Sequence, residues 1–263
     1  MSRVTRKDVV IPKRSKGSKK GDAGRVLIIG GSEDYVGALV LSGLAALRAG
    51  VDWVTVACPE KVGWAVHALS ADLVVRKFNC SHFTLKDVNA VLKLEKKFDV
   101  VLIGTGLGDR SDSFVRAFVR KSKKPLVIDA DGVKAVSLSS VSGALLTPHA
   151  GEFKMLLKNS KLSEKGLRSH LNGNVVLLKG ATDTIISKER VVANRTGNPG
   201  MAKAGTGDVL AGLCVGFLGQ GLSLFQSAVN GAYINGTLGD LLEKKKGYSY
   251  IASDLLMDLK RVL

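Results

Sequence analysis

Arg25-Val-Leu-Ile-Ile-Gly-Gly31 is the stretch that decides the fold. Four apolar residues run on without polar alternation and stop at two glycines. An unbroken apolar run of this length reads as a strand buried on both faces, as in a parallel sheet. Val36–Ala49 follows with helical spacing and halts at Gly50, a natural residue just past a helix end. Trp53–Ala57 is again β-branched and strand-like, so the opening reads strand, helix, strand.

Outward from this unit the rhythm repeats. Helical patterns fall at Lys61–Leu69, Leu85–Lys97, Phe114–Arg120 and about Glu152–Leu157; strands are predicted at Val100–Ile103, Leu126–Ile128 and Leu145–Thr147. Val175–Lys179, Thr184–Ser187 and Arg190–Ala193 then crowd together with tight turns, which predicts antiparallel strands at one sheet edge. Helices about Gly207–Leu218, Leu222–Leu242 and Ser253–Val262 close the chain. The fold class is therefore α/β: a mainly parallel central sheet with helices on both faces. In open sheets of this kind ligands bind beyond the carboxyl ends of the strands, where the glycine and polar clusters of this chain fall.

Composition agrees. The 263 residues suit one domain, and with 5% aromatics its core must be Val, Leu, Ile and Ala. The net charge of +16 points to nucleic acid, a membrane surface or an anionic small molecule as partner. Residues 1–20 concentrate it: Arg3, Arg6, Lys7, Lys13, Arg14, Lys16, Lys19 and Lys20 face Asp8 alone. The plain reading is a solvated, partly mobile basic N-terminus over residues 1–18; the sharper one has Lys19 or Lys20 reaching an anionic ligand. Nucleic acid is disfavoured because no stacking aromatics interleave with these charges. Cys58, Cys80 and Cys214 form no CxxC pair, which argues against a disulfide framework or zinc site and fits a reducing cytoplasm. No apolar run nears the roughly 18 residues of a membrane span, and no signal-peptide core opens the chain. A cytoplasmic protein without a membrane partner is expected.

The strongest chemical signal is Asn198-Pro-Gly-Met-Ala-Lys-Ala-Gly-Thr-Gly-Asp-Val-Leu-Ala-Gly212. Gly205, Thr206 and Gly207 lead into an apolar helix whose first amides lack internal partners; with the helix dipole they make an anion site. Asp208 stands beside that anion, which is electrostatically awkward unless the carboxylate has a chemical role. The alternative is a plain Asp cap on a turn. Gly104-Thr-Gly-Leu-Gly108 lacks dinucleotide-binding spacing, and there is no P-loop. Lys179-Gly-Ala-Thr-Asp183 is either a strand-end Lys meeting phosphate or a hairpin with a solvated Lys. In Pro148-His-Ala-Gly-Glu152, His149 can donate to a substrate and Glu152 can reach Mg²⁺ through water, or Glu152 is simply a helix-start carboxylate. Asp129-Ala-Asp131 can orient metal-bound water, or Asp131 can cap a helix.

Taken in order, Lys20-Gly-Asp-Ala-Gly24, Gly30-Gly-Ser32, Tyr35-Val-Gly-Ala38, Ala45-Ala-Leu-Arg-Ala-Gly50, Gly104-Thr-Gly-Leu-Gly108, Asp129-Ala-Asp131, Pro148-His-Ala-Gly-Glu152, Lys179-Gly-Ala-Thr182 and Gly205-Thr-Gly-Asp208 resemble the ADP/ATP-dependent NAD(P)H-hydrate dehydratases of the ribokinase-like superfamily. The resemblance runs from about Lys20 to the C-terminus. It implies a ribokinase-like three-layer sandwich over residues 1–263; some members carry a fused N-terminal epimerase domain, and from the length of this chain none is expected here. It implies that Ala38, Gly106, His149 and Asp208 contact hydrated NADH or NADPH. It places adenine nucleotide on Lys179, Gly180, Ala181, Thr182, Asp183, Gly205, Thr206 and Gly207. It further implies Asp208 as the catalytic base, ADP or ATP as co-substrate, Mg²⁺, and a homo-oligomer, often a tetramer. Two residues depart from the family pattern. Thr105 replaces a usual Pro and is expected to loosen its loop; Lys203 is expected to add charge near the phosphates. The function implied is repair of the hydrated cofactor by phosphorylation of its hydroxyl and elimination of phosphate. The alternatives are a vitamin-precursor kinase of the hydroxyethylthiazole or hydroxymethylpyrimidine type, and a nucleic-acid binder using the basic N-terminus.

Overall fold

Val26, Leu27, Ile28 and Ile29 are each 0% exposed in the computed structural model, which describes all 263 residues. Such complete burial requires cover on both faces of the sheet, and the chain supplies it. Strand β2 (Arg25–Ile29) lies between β3 (Trp53–Pro59) and β5 (Val100–Ile103), parallel to both. Beyond β3 comes β4 (Val74–Phe78); beyond β5 come β6 (Leu126–Ile128), β7 (Ala144–Leu146) and β8 (Val175–Leu178), all parallel. The edge is finished by antiparallel β9 (Asp183–Ile186) and β10 (Val191–Asn194), with β1 (Ser2–Arg3) parallel to β10. The full order is β1-β10-β9-β8-β7-β6-β5-β2-β3-β4.

Alternate side chains of β2 enter different cores. Val26 and Ile28 join α1 (Val36–Ala49), α2 (Glu60–Leu69), α7 (Thr206–Gly219) and α8 (Leu224–Lys246). Leu27 and Ile29 join α3 (Val88–Glu95), α4 (Asp112–Lys121), α5 (Asp131–Ala135) and α6 (Ala150–Ser160). A third cluster packs α9 (Ala252–Asp258) outside α1, α7 and α8. Helix α7 is apolar nearly all round because it is enclosed nearly all round. Gly212 and Gly216, one turn apart, let it press on α1: a Cβ at Gly212 would stand 2.3 Å from the Ser42 carbonyl, and one at Gly216 2.7 Å from Ala49 Cβ. This contact fixes where the start of α7 points.

Three differences from the sequence expectation have physical causes. Strand β4 is hidden in the sequence because Arg76 and Lys77 interrupt its apolar run; charges are usual on an edge strand. Helix α3 begins at Val88, not Leu85, because Asp87 accepts the Thr84 amide and hydroxyl and winds a 3₁₀ turn first. The start of the chain, expected as part of a mobile segment over residues 1–18, is tied down instead. Val4 is buried and donates its amide to Ala193, and Asn230 holds both backbone groups of Val10. No helix is long and apolar enough to cross a membrane.

Candidate active site at the carboxyl edge of the sheet

After β2 the chain builds outward through β3 and β4, then returns to β5 on the other side. The crevice between the carboxyl ends of β2 and β5 is thus a topological switch point, the usual ligand position in this architecture. Its loops nest tightly. The Gly31 amide donates to the Thr105 carbonyl at 2.9 Å, and a Cβ at Gly30 would stand 2.3 Å from that same oxygen. A Cβ at Gly104 (φ +119°) would stand 2.0 Å from the Asp129 carbonyl, so only glycine admits the β6 turn here. Gly106 (φ +65°) abuts Tyr35 and Ala38, bringing together Gly106 and Ala38, two residues that the family resemblance implies for the hydrated cofactor. Thr105 does not loosen the loop in this structure; it is fully buried, although its hydroxyl finds no partner.

The β6 turn carries Asp129 and Asp131 on either side of Ala130, whose backbone is held at φ 48°, ψ −120°. Such a conformation is costly without glycine and persists only where surroundings enforce it. Asp131 accepts the Gly108 amide at 2.8 Å and pairs with Lys134 at 2.8 Å, locking the β5 loop to α5. Asp129 accepts the Thr147 hydroxyl at 2.7 Å and Lys179 Nζ at 2.9 Å.

Lys179 directly follows β8 and opens the hairpin to β9, as in the hairpin reading, but the side chain is not solvated. It is 18% exposed, paired with Asp129 and 3.9 Å from Glu152 Oε2. A Cβ at Gly207 would lie 3.5 Å from its Nζ, so the ammonium reaches the opening turn of α7. The rest of the hairpin loop, Gly180, Ala181 and Thr182, is exposed, and Asp183 Oδ1 accepts the Gly180 amide at 3.1 Å.

His149 caps α6: its Nδ1 accepts the amides of Gly151 and Glu152 at 3.0 and 3.3 Å. A ring nitrogen that accepts carries no proton, so the proton of the neutral ring is on Nε2, which faces Glu152 Oε1 at 3.3 Å. In return Glu152 Oε2 accepts the His149 amide at 2.8 Å, completing a capping box. The helix-start reading of Glu152 therefore holds, with the carboxylate facing Lys179 as well.

Helix α7 begins at Thr206, capped by Gly205 at φ +90°. The Thr206 hydroxyl is bonded within its own loop, to the Met201 and Lys203 carbonyls, which leaves the backbone as its route to a ligand. The amides of Gly207 and Asp208 have no acceptor in the protein, and the Asp208 carboxylate accepts no hydrogen bond, so it is not a helix cap. Burial first, then the nearby charge of Asp129, push its pKa up to about 7, against the pull of Lys179. Burial pulls the Lys179 ammonium down, but Asp129 and Glu152 outweigh it and its pKa ends above the usual value. Asp183 is raised by burial, opposed by the Gly180 amide and Asn194.

Lys203 differs from expectation. Its ammonium bonds the carbonyls of Tyr248 and Tyr250, the latter at 2.7 Å, and so turns to the C-terminal segment. Two residues without a motif of their own also support the site. Asn194 bonds Asp183 Oδ2 at 3.1 Å, and Asn235 reaches the Thr206 carbonyl at 3.4 Å with its own Oδ1 buried and unpartnered. No three His, Cys, Asp or Glu side chains converge as metal ligands. Asp129 and Glu152, the carboxylates around Lys179, are oxygen donors of the kind a hard cation takes.

Unpaired helix-start amides, a largely buried Lys and a carboxylate of raised pKa meet at the carboxyl edge of the sheet of this α/β protein, an arrangement suited to an anion. Comparison with known proteins gives the family. The family model described as NAD(P)H-hydrate dehydratase matches residues 26–261, and the chain belongs to that family. It is 41% identical over 265 residues to a bifunctional NAD(P)H-hydrate repair enzyme of Methanothermobacter thermautotrophicus, covering 94% of this chain and 51% of the relative. It thus spans about half the length of the first curated relatives it matches. It is 34% identical to an ADP-dependent (S)-NAD(P)H-hydrate dehydratase of Cenarchaeum symbiosum, covering 96% of this chain and 93% of the relative. The fold is ribokinase-like: a ribokinase-like superfamily protein of Enterococcus faecalis superposes with TM-score 0.85 at 26% identity, covering 99% and 96% of the two chains. An ADP/ATP-dependent NAD(P)H-hydrate dehydratase of Bacillus subtilis, co-crystallized with ATP/Mg²⁺, gives TM-score 0.82 at 24% identity, covering 99% and 97%.

Proposed function

We propose that this chain dehydrates (6S)-hydrated NADH or NADPH to NADH or NADPH, with ADP or ATP as co-substrate and Mg²⁺ accompanying its phosphates. The observation that carries the reading is the pairing of unengaged Gly207 and Asp208 amides with a free carboxylate on the same turn. Hydroxide leaves poorly and phosphate leaves well, so the hydroxyl is first phosphorylated. Asp208 orients the hydroxyl and takes its proton as the terminal phosphoryl group transfers; in a loose transition state its main work is positioning. The amides opening α7 stabilise charge on the moving group, and one such donor is commonly worth about 3–4 kcal/mol of barrier. Lys179 offsets charge on the nucleotide phosphates. The ring nitrogen lone pair then expels phosphate from the adjacent carbon, and proton loss from the next carbon restores the ring double bond.

Ala38, Gly106 and His149 are assigned to the hydrated cofactor, and Gly180–Asp183 with Gly205–Gly207 to the nucleotide. Mg²⁺, when bound, would supply charge neutralisation, and Glu152 is assigned to meet it through water. Residues 1–263 act as one unit, as a homo-oligomer, in a reducing cytoplasm where its three free thiols persist.

The test is incubation of the purified chain with hydrated NADH, Mg²⁺ and either ADP or ATP, following the return of near-UV absorbance. Recovery that needs nucleotide supports the proposal; none with either nucleotide rejects it. A product that has gained phosphate by mass spectrometry would identify a kinase instead.

A further inference from the structure

A cavity of about 750 Å³ opens at the other end of the sheet, over the starts of β2 and β3, along edge strand β4 and under the C-terminal end of α3. Five cations line it, namely Lys20, Arg25, Arg76, Lys93 and Lys97, and no carboxylate does. None of the five makes an ion pair within 4.0 Å. The neighbouring acids are committed elsewhere: Asp52 accepts the amides of Gly21 and Ala23 and pairs with Arg14, and Asp99 accepts the Arg25 amide. Between the charges the wall is apolar, with Trp53, Phe78 and Leu94. Lys20 Nζ stands 4.4 Å from the Trp53 ring centroid, held over its face.

The dipole of α3 accounts for Lys93 and Lys97 near its C-terminus. It does not account for Lys20, Arg25 and Arg76, which come from three other segments and converge on the same space. Unneutralised cations around an apolar hollow repel one another, so folding alone does not favour the arrangement. A second copy of this chain is a poor occupant, since pairing like faces would set one cationic set against another. The size is that of a small-molecule pocket.

We propose that this cavity is a second ligand site, separate from the carboxyl-edge site, for a phosphate ester bearing a flat ring, of the size and charge of a nucleoside diphosphate. The phosphates meet Arg76, Lys93 and Lys97 at the rim, and the ring enters among Trp53, Phe78 and Leu94. Lys20 then acts as a clasp from the basic N-terminal segment. No chemistry is assigned to the site; it binds.

Trp53 reports on this cavity and not on the dehydration site, so binding here is read independently of activity. In the full chain carrying Trp64→Phe, Trp53 is the sole tryptophan, and its fluorescence is titrated with ADP, with inorganic tripolyphosphate and with a single-stranded oligonucleotide. Saturable quenching by ADP is expected, weakened about ten-fold or more by Arg76→Glu with Lys93→Glu, two exposed side chains far from the catalytic turn. Should that pair impair folding, Arg76→Gln with Lys93→Gln serves, with circular dichroism as the check. Calorimetry should count two ADP sites in the parent and one in the charge-reversed chain. No response to ADP, quenching that survives charge reversal, tripolyphosphate binding as tightly as ADP, or oligonucleotide binding without ADP binding would each overturn the proposal.

Discussion

Lys179 Nζ and Asp129 Oδ1 stand 2.9 Å apart across fifty residues of sequence, and the same ammonium reaches Gly207 at the opening of α7. One largely buried cation thus joins the β6 turn, the β8 hairpin and the helix start. Replacing it leaves Asp129 and Glu152 with uncompensated charge, and breaking a buried pair costs about 3–5 kcal/mol. Lys179→Met should lower stability by about that amount in denaturant unfolding at pH 7. Added Asp129→Asn should restore part of it, since the stranded charge is then removed. An additive pair of effects would show that the two residues do not depend on one another.

The raised pKa of Asp208 sets an acid limb. A base must be ionised to act, so kcat/KM for hydrated cofactor should fall as pH drops through about 7. Asp129 contributes to that rise, so Asp129→Asn should move the limb towards lower pH while total activity drops. A limb that stays in place would remove the electrostatic coupling.

Asp208→Asn should lose turnover yet still bind nucleotide. Its stability effect has a definite sign. The folded-state pKa lies above the unfolded one, so the wild type loses stability as pH rises from about 4 to 7 and the carboxylate is forced to ionise in place. The Asn variant has no such slope. Its Tm advantage over wild type should grow from pH 4 to pH 8; a constant difference would mean that Asp208 titrates normally.

Gly205→Ala should destabilise the loop that opens α7. Gly205 sits at φ +90°, and a Cβ there would stand 2.7 Å from Leu41 Cδ1 and 2.8 Å from Ala252 Cβ. Left-handed strain alone costs about 1–3 kcal/mol. A raised KM for nucleotide is expected, together with faster hydrogen exchange in the first turn of α7. Unchanged exchange would place the strain elsewhere.

What the sequence disclosed follows what it keeps local. The strand at Arg25–Ile29 and the turn from Gly205 to Asp208 are contiguous signals, readable from apolar runs and glycine spacing. The Lys179–Asp129 pair is not, because two distant strand ends meet only after the sheet is assembled. Asn194 and Asn235 carry no motif; their importance comes from burial against other chain segments. Lys203 misled because nearness in sequence to the Gly205–Asp208 turn does not fix where a long side chain turns. The Gly212 and Gly216 pair, spaced one turn apart opposite Ala45 and Ala49, was a signal available for the α1–α7 contact. Strand β4 was masked by charges that belong on an edge.

Tyr250, 0% exposed, donates its hydroxyl to Asn198 Oδ1 at 2.8 Å, while the nearby backbone carbonyls hold Lys203. The loop that leads into α7 is therefore fastened by a segment about fifty residues further along the chain. Its shape is a tertiary property, absent until that later segment has docked, so a peptide spanning Asn198–Gly212 alone should not hold it.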